Sequence, residues 1–274
     1  MPELPEVETV VCDLRPAVVG RRIERVLHLN PLLLRQREPR PAGELLVGRV
    51  IEALERRGKY IIFRCGERLC LIVHLGMTGQ LRLVPAGHEL APHVHLRLEL
   101  QGQQELRLRD PRRFGRVLIG EEEDLIAQGA MPRLGAEPID PGFDGPLLGR
   151  LLSGRRAPIK SLLLDQRIVA GVGNIYADEA LFRARIHPAR SAAGLGPRRL
   201  SRLASALAGA LAEGIVHRGS TIADYRDAWG ERGHQQDRLQ VYGRAGQACL
   251  NCGSRLRSIR LGGRTSVFCV RCQR

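Results

Sequence analysis

Hydrophobic and polar positions change pattern several times along the chain. The first ~15 residues read as a helix, with Pro2 and Pro5 near its start and Glu3, Glu6 and Glu8 where the positive end of a helix dipole favours acids. Pro16 and Gly20 are expected to end it. From Ile23 to about Ile119 short apolar runs alternate with turn residues, including Ile51–Leu54, Tyr60–Arg64, Leu69–His74 and the alternating segment His93–Leu98. Such spacing predicts a β-sandwich or barrel. A Pro- and Gly-rich stretch from Met131 to Pro146 reads as a linker. The period then becomes helical, at Leu147–Leu152, Ile159–Leu164 and about Pro197–His217. Thr221–Gln240 is polar and aperiodic, which predicts a mobile surface loop.

The four cysteines at the C-terminal end change this picture most. Cys249, Cys252, Cys269 and Cys272 form two C-x2-C pairs sixteen residues apart, a spacing that suits four thiolates around tetrahedral zinc. Between them, Ser258–Leu261 and Arg264–Phe268 read as strands around a Gly262-Gly263 turn. One structural zinc ion is expected, closed by four sulfurs and doing no chemistry. Arg264 falls at the hairpin tip, either entering a DNA groove or solvated there. Cys12, Cys65 and Cys70 have no metal spacing and are expected to be buried free thiols.

The formal net charge of +14 points to a phosphate backbone, with an acidic lipid surface or a generally basic exterior as the alternatives. No apolar run approaches the ~20 residues that span a bilayer, and the acidic start is unlike a secretory signal. Of 43 basic residues only Lys59 and Lys160 are lysines. Arginine keeps its proton, whereas a lysine amine can be tuned, so these two are candidates for work needing an ammonium group.

Residue 2 is proline, so loss of the initiator methionine is expected to expose a secondary amine. An α-amino group titrates near 7.7–8.0 and is partly neutral at working pH. Attack on a sugar C1′ would give an iminium, a permanent cation and a good electron sink. Glu3 and Glu6 lie beside it and could protonate a ribose oxygen or relay protons. On physics alone a helix cap explains the same residues.

The opening Met1-Pro2-Glu3-Leu4-Pro5-Glu6-Val7-Glu8-Thr9 resembles the signature of bacterial formamidopyrimidine-DNA glycosylases. So do Leu54–Tyr60, His74-Leu75-Gly76-Met77, Arg109–Gly115, Gly171–Glu179, Val241-Tyr242-Gly243-Arg244 and the cysteine module, in that family's order. The resemblance implies an α+β multidomain fold: an N-terminal β-sandwich flanked by helices, then a helical helix-two-turn-helix domain with a β-hairpin zinc finger. The corresponding domains are 1–130 (catalytic), a linker at 131–149, 150–235 (helix-two-turn-helix with the lesion loop) and 236–274 (zinc finger).

It further implies a bifunctional glycosylase and AP lyase of base excision repair, acting on 8-oxoguanine and formamidopyrimidines. In it Pro2 is the Schiff-base nucleophile, Glu3 the general acid, Lys59 the active-site lysine, and Arg264 a phosphate contact completing the catalytic set. His74, Lys160, Asn174 and Tyr242 match DNA-backbone contacts. Met77, Arg112 and Phe114 match residues that fill the gap left by an extruded base, although by pattern alone Met77 and Phe114 read as core. The expected partner is double-stranded DNA carrying oxidised bases or abasic sites, bound by a monomer in the cytoplasm at the nucleoid. Two rival readings stand beside this one: an endonuclease VIII-like enzyme for oxidised pyrimidines, and a non-catalytic zinc-ribbon DNA-binding protein.

Overall fold

The structure, a computed structural model, describes residues 1–34, 40–66 and 68–274. By its internal contacts the chain divides into two units, residues 1–133 with 217–234, and residues 134–216 with 235–274.

The first unit opens with α1 (Leu4–Val18), followed by β1 (Ile23–Leu29) and α2 (Ala42–Leu46). Next come β2 (Ala53–Arg57), β3 (Tyr60–Arg64), β4 (Leu69–His74), β5 (Gln80–Pro85), β6 (Val94–Leu100), β7 (Gln104–Arg109) and β8 (Arg116–Glu121), then α3 (Glu122–Ala127). The strands form two four-stranded sheets, β1-β6-β7-β5 and β2-β3-β4-β8, antiparallel throughout. Because strand side chains alternate between faces, Leu96, Leu98 and Leu100 of one sheet and Ile61, Phe63, Leu71 and Val73 of the other enter one shared core. Val7, Val10, Val11 and Leu14 of α1 complete it. Pro16 does not end α1 as expected; the helix continues to Val18, whose fully buried side chain holds the last turn on the core.

The polar Thr221–Gln240 stretch, expected as a surface loop, is anchored by buried residues in the part that joins the first unit, 217–234. Ser220, Thr221, Tyr225, Asp227 and Ala228 are buried, and Tyr225 and Ala228 join the core with α1. The Thr221 hydroxyl donates to Tyr225 O (3.1 Å) and accepts from the Gly233 amide (3.0 Å), closing the segment on itself. A polar composition concealed this because the segment is held by hydrogen bonds more than by apolar period.

The second unit comprises α4 (Gly145–Leu152), α5 (Ile159–Leu163), α6 (Asn174–Arg183), α7 (Pro197–Val216) and a hairpin of β9 (Arg257–Leu261) and β10 (Arg264–Phe268). Asp144 caps α4 by accepting from the Leu147 amide at 2.7 Å. Residues 134–149, read in the sequence as linker, pack within this unit. The Gly135 amide reaches Gln166 O (2.9 Å), Ala136 bridges Val169, and Glu137 is buried. The hairpin is seated on α6 by Phe182, Val241, Leu256 and Val267.

Candidate active site

The N-terminal segment is built around two carboxylates. Glu3 caps α1 and forms a reciprocal capping box with Glu6. Glu6 Oε2 accepts from the Glu3 amide (2.7 Å) and Oε1 from the Ser220 amide (2.7 Å). The Tyr225 hydroxyl donates to Glu6 O at 3.3 Å. Gly219, at φ +77, lies so close that a Cβ there would stand 2.7 Å from Glu6 Cγ. With both oxygens engaged by backbone donors, Glu6 is a clamp between α1 and the 217–234 segment. Glu3 and Pro2 are buried at the helix's positive end.

A second clamp steadies the same segment. The Arg218 guanidinium donates to Asp13 (2.7 Å) and to buried Asp227 (2.5 Å), tying α1 to the start and the middle of the segment. The sequence reading did not single out Arg218, because an isolated arginine among 41 carries no pattern.

Lys59 sits in the β2–β3 turn and is buried. Arg56 positions that turn: its Nε donates to Glu8 of α1 at 2.6 Å and its Nη1 to Gly58 O at 3.1 Å. His74 lies at the end of β4, directly across the ladder from Tyr60, their rings 4.8 Å apart. Burial first, then the positive charges of Lys59 and Arg116, pull its pKa down to about 4. Since Nδ1 accepts the Gly76 amide at 3.1 Å, the neutral ring carries its proton on Nε2. His74 is therefore a donor without charge near Lys59.

The loop after His74 and the loop after Arg109 are locked together by Asp110, which is fully buried. Asp110 accepts from the Thr78 hydroxyl and from the Gly115 amide (2.7 Å), while the Thr78 hydroxyl accepts from the Arg112 amide (3.3 Å). Gly76, at φ +63, admits the opposing backbone; a Cβ would stand 2.5 Å from Phe114 C. What this lock presents is an apolar and cationic trio. Met77 is 37% and Phe114 50% exposed, and the Arg112 guanidinium lies 4.7 Å over the Phe114 ring. The core placement suggested by pattern is thus overturned for both apolar residues. Asp110 lay inside a quoted sequence block and Thr78 just past the end of another, yet their bond links residues 32 apart and no local period signals it.

In the second unit Lys160 corrects an expectation. A phosphate contact needs an accessible ammonium group, and Lys160 is 0% exposed. Its Nζ pairs with Asp178 (2.6 Å) and donates to Thr265 O (3.1 Å) and Ser266 Oγ (2.8 Å). The Val267 amide donates to the other Asp178 oxygen at 3.0 Å. Lys160 is thus a buried bolt between α5, α6 and β10. Asn174, at the start of α6, donates to Thr265 O (3.1 Å), and its Oδ1 is buried without a partner. Glu179 gathers the amides of Gln240, Val241 and Tyr242 at 2.9–3.0 Å and so fixes the segment carrying Tyr242. Arg264 opens β10 at the hairpin turn, exposed as expected.

The four cysteine sulfurs lie within 4.8 Å of one another, with Cys249–Cys272 at 3.9 Å and Cys252–Cys269 at 3.5 Å. Tetrahedral zinc with ~2.3 Å bonds needs sulfurs about 3.8 Å apart, so the cluster fits one zinc ion. Cys65 and Cys70 are buried, but Cys12 is exposed, its thiol 3.3 Å from Glu8.

Residues 1–117 match the family described as formamidopyrimidine-DNA glycosylase N-terminal domain, 134–226 that family's H2TH domain, and 246–274 the zinc finger found in FPG and IleRS. The formamidopyrimidine-DNA glycosylase of Moorella thermoacetica is 46% identical over 260 residues, covering 95% of each chain. That of Stutzerimonas stutzeri is 46% identical over 274 residues, covering both chains entirely. The crystal structure of the MutM (Fpg) protein from Thermus thermophilus superposes with a TM-score of 0.88 at 43% identity, over 99% of this chain and 98% of that one. A Lactococcus lactis Fpg bound to abasic-site DNA gives 0.88 at 34% identity, over 99% of each chain.

Proposed function

The chain belongs to the formamidopyrimidine-DNA glycosylase family, and from that membership we propose how its own residues share the work. It is a bifunctional DNA glycosylase and AP lyase of base excision repair that removes oxidised purines, with one structural zinc ion held by Cys249, Cys252, Cys269 and Cys272.

Once Met1 is removed, Pro2 carries a secondary amine at the positive end of α1. Its nitrogen bonds to C1′ as the bond from C1′ to the damaged base breaks. Glu3 protonates the ring oxygen, which opens the sugar and leaves an iminium. The iminium acidifies the C2′ proton, so the 3′ phosphate leaves by β-elimination and the 5′ phosphate by δ-elimination. Glu6, with a backbone amide on each oxygen, holds Glu3 and the 217–234 segment in register. Lys59 supplies a tethered ammonium, and neutral His74 donates a hydrogen bond to phosphate. Met77, Arg112 and Phe114 occupy the gap left by the extruded base. Asn174, Tyr242 and Arg264 bind backbone.

The observation that carries this assignment is the buried Pro2–Glu3 end at the start of α1, organised by the doubly bound Glu6. The protein acts as a monomer at the nucleoid; no described helix is long and apolar enough to cross a membrane. Duplexes containing 8-oxoguanine or thymine glycol test the substrate class. Preferential nicking at 8-oxoguanine is expected, and preference for thymine glycol overturns it.

A further inference from the structure

A cavity of about 540 Å³ opens on the second unit between α6, the start of α7 and the cysteine cluster. Five arginines line it: Arg185, Arg199, Arg202, Arg271 and Arg274. No acidic side chain does, and among the described residues none of the five makes an ion pair. We propose that this cavity is a second phosphate-binding site, which takes a compact polyphosphate group.

Five guanidinium groups around one concavity repel each other, and a bound phosphate group relieves that repulsion. The neighbouring sulfurs of Cys252 and Cys272 do not remove the excess. Four thiolates around a divalent zinc carry a net charge of −2, which offsets only part of the five guanidinium charges. Guanidinium forks match phosphate oxygens two at a time.

Arg185 adds an independent sign. It follows the C-cap of α6 at φ +56, where glycine is ordinarily favoured, and its carbonyl accepts the Arg274 amide at 3.4 Å. That backbone conformation is strained for a residue with a Cβ, and it carries a guanidinium to the cavity. The site is separate from the hairpin turn at Arg264. Cys269 and Cys272 follow the far end of β10, so four steps of strand, roughly 13 Å, lie between them.

Calorimetric titration of the whole zinc-loaded protein with inorganic tripolyphosphate tests this, with the lesion site occupied by abasic-analogue duplex. One-site binding is expected, weakened at least tenfold in R199Q/R202Q and in R271Q, with zinc content and nicking of 8-oxoguanine duplex retained. The charge-matched pair R150Q/R155Q should bind as the unaltered protein does. Absence of binding, or equal weakening in R150Q/R155Q, overturns the site. Displacement of tripolyphosphate by an undamaged duplex assigns the phosphate to a second nucleic-acid segment; resistance to displacement assigns it to free polyphosphate.

Discussion

The amide of Ser220 donates to Oε1 of Glu6 across 2.7 Å, joining residues 214 apart in the chain. Through this bond the segment over the N-terminus and the capping turn of α1 share one carboxylate. Glu6→Gln can accept only one of the two amides, and its NH2 group must face the other donor. The variant should bind abasic-analogue duplex normally while its Schiff-base formation slows about 10- to 100-fold, from an unsatisfied buried donor worth about 1–3 kcal/mol. Single-turnover trapping checks this; an unchanged rate contradicts the clamp.

Lys160→Met should cost about 3–5 kcal/mol of stability, because Asp178 is left buried and unpaired. Lys160→Met combined with Asp178→Leu should recover much of that loss. The salt dependence of DNA affinity should not change in the single variant. A phosphate contact at Lys160 would instead flatten the slope by about one. Thermal unfolding and affinity at several salt concentrations decide between these.

His74 ties stability to pH. Its folded value is about 4 against an ordinary 6.5, because burial disfavours the cation. As pH falls below about 6.5 the unfolded chain takes up the proton first, so the folded state loses stability progressively down to about pH 4. His74→Gln should remove that part of the pH dependence in denaturant titrations at pH 7 and pH 5. Between pH 7 and 8 the ring remains neutral and the unfolded chain is mostly neutral too, so no change through His74 is expected there.

Phe114→Ala removes a half-exposed ring, so unfolding should shift by less than about 1 kcal/mol. Excision of 8-oxoguanine from duplex should slow at least tenfold, since the aromatic wedge that fills the stack behind the extruded base is gone. Cleavage at a preformed abasic site should suffer less. Equal losses on both substrates would assign Phe114 to another step.

Much of this was legible in the sequence, for identifiable reasons. Short apolar runs between turn residues placed Tyr60–Arg64 and Leu69–His74 at the observed bounds, and cysteine spacing marked the metal cluster. The resemblance directed attention to Met77 and Phe114, which hydropathy alone assigned to the core. What stayed hidden depends on long-range polar bonds. The isolation of Lys160 as a lysine was a real signal, but its use is burial against Asp178, a partner eighteen residues away. The Ser220 amide on Glu6, 214 positions away in the chain, has no local signal either. Residues 217–234 lacked apolar period because Thr221, Asp227 and Arg218 hold them instead of a hydrophobic face.

The chemistry assigned to Pro2 is tested most directly by borohydride reduction during turnover on 8-oxoguanine duplex, followed by peptide mapping of the adduct. The account predicts one covalent DNA–protein link, at the nitrogen of residue 2, on chains that have lost Met1. A link at Lys59, or full turnover by chains that retain Met1, would contradict it.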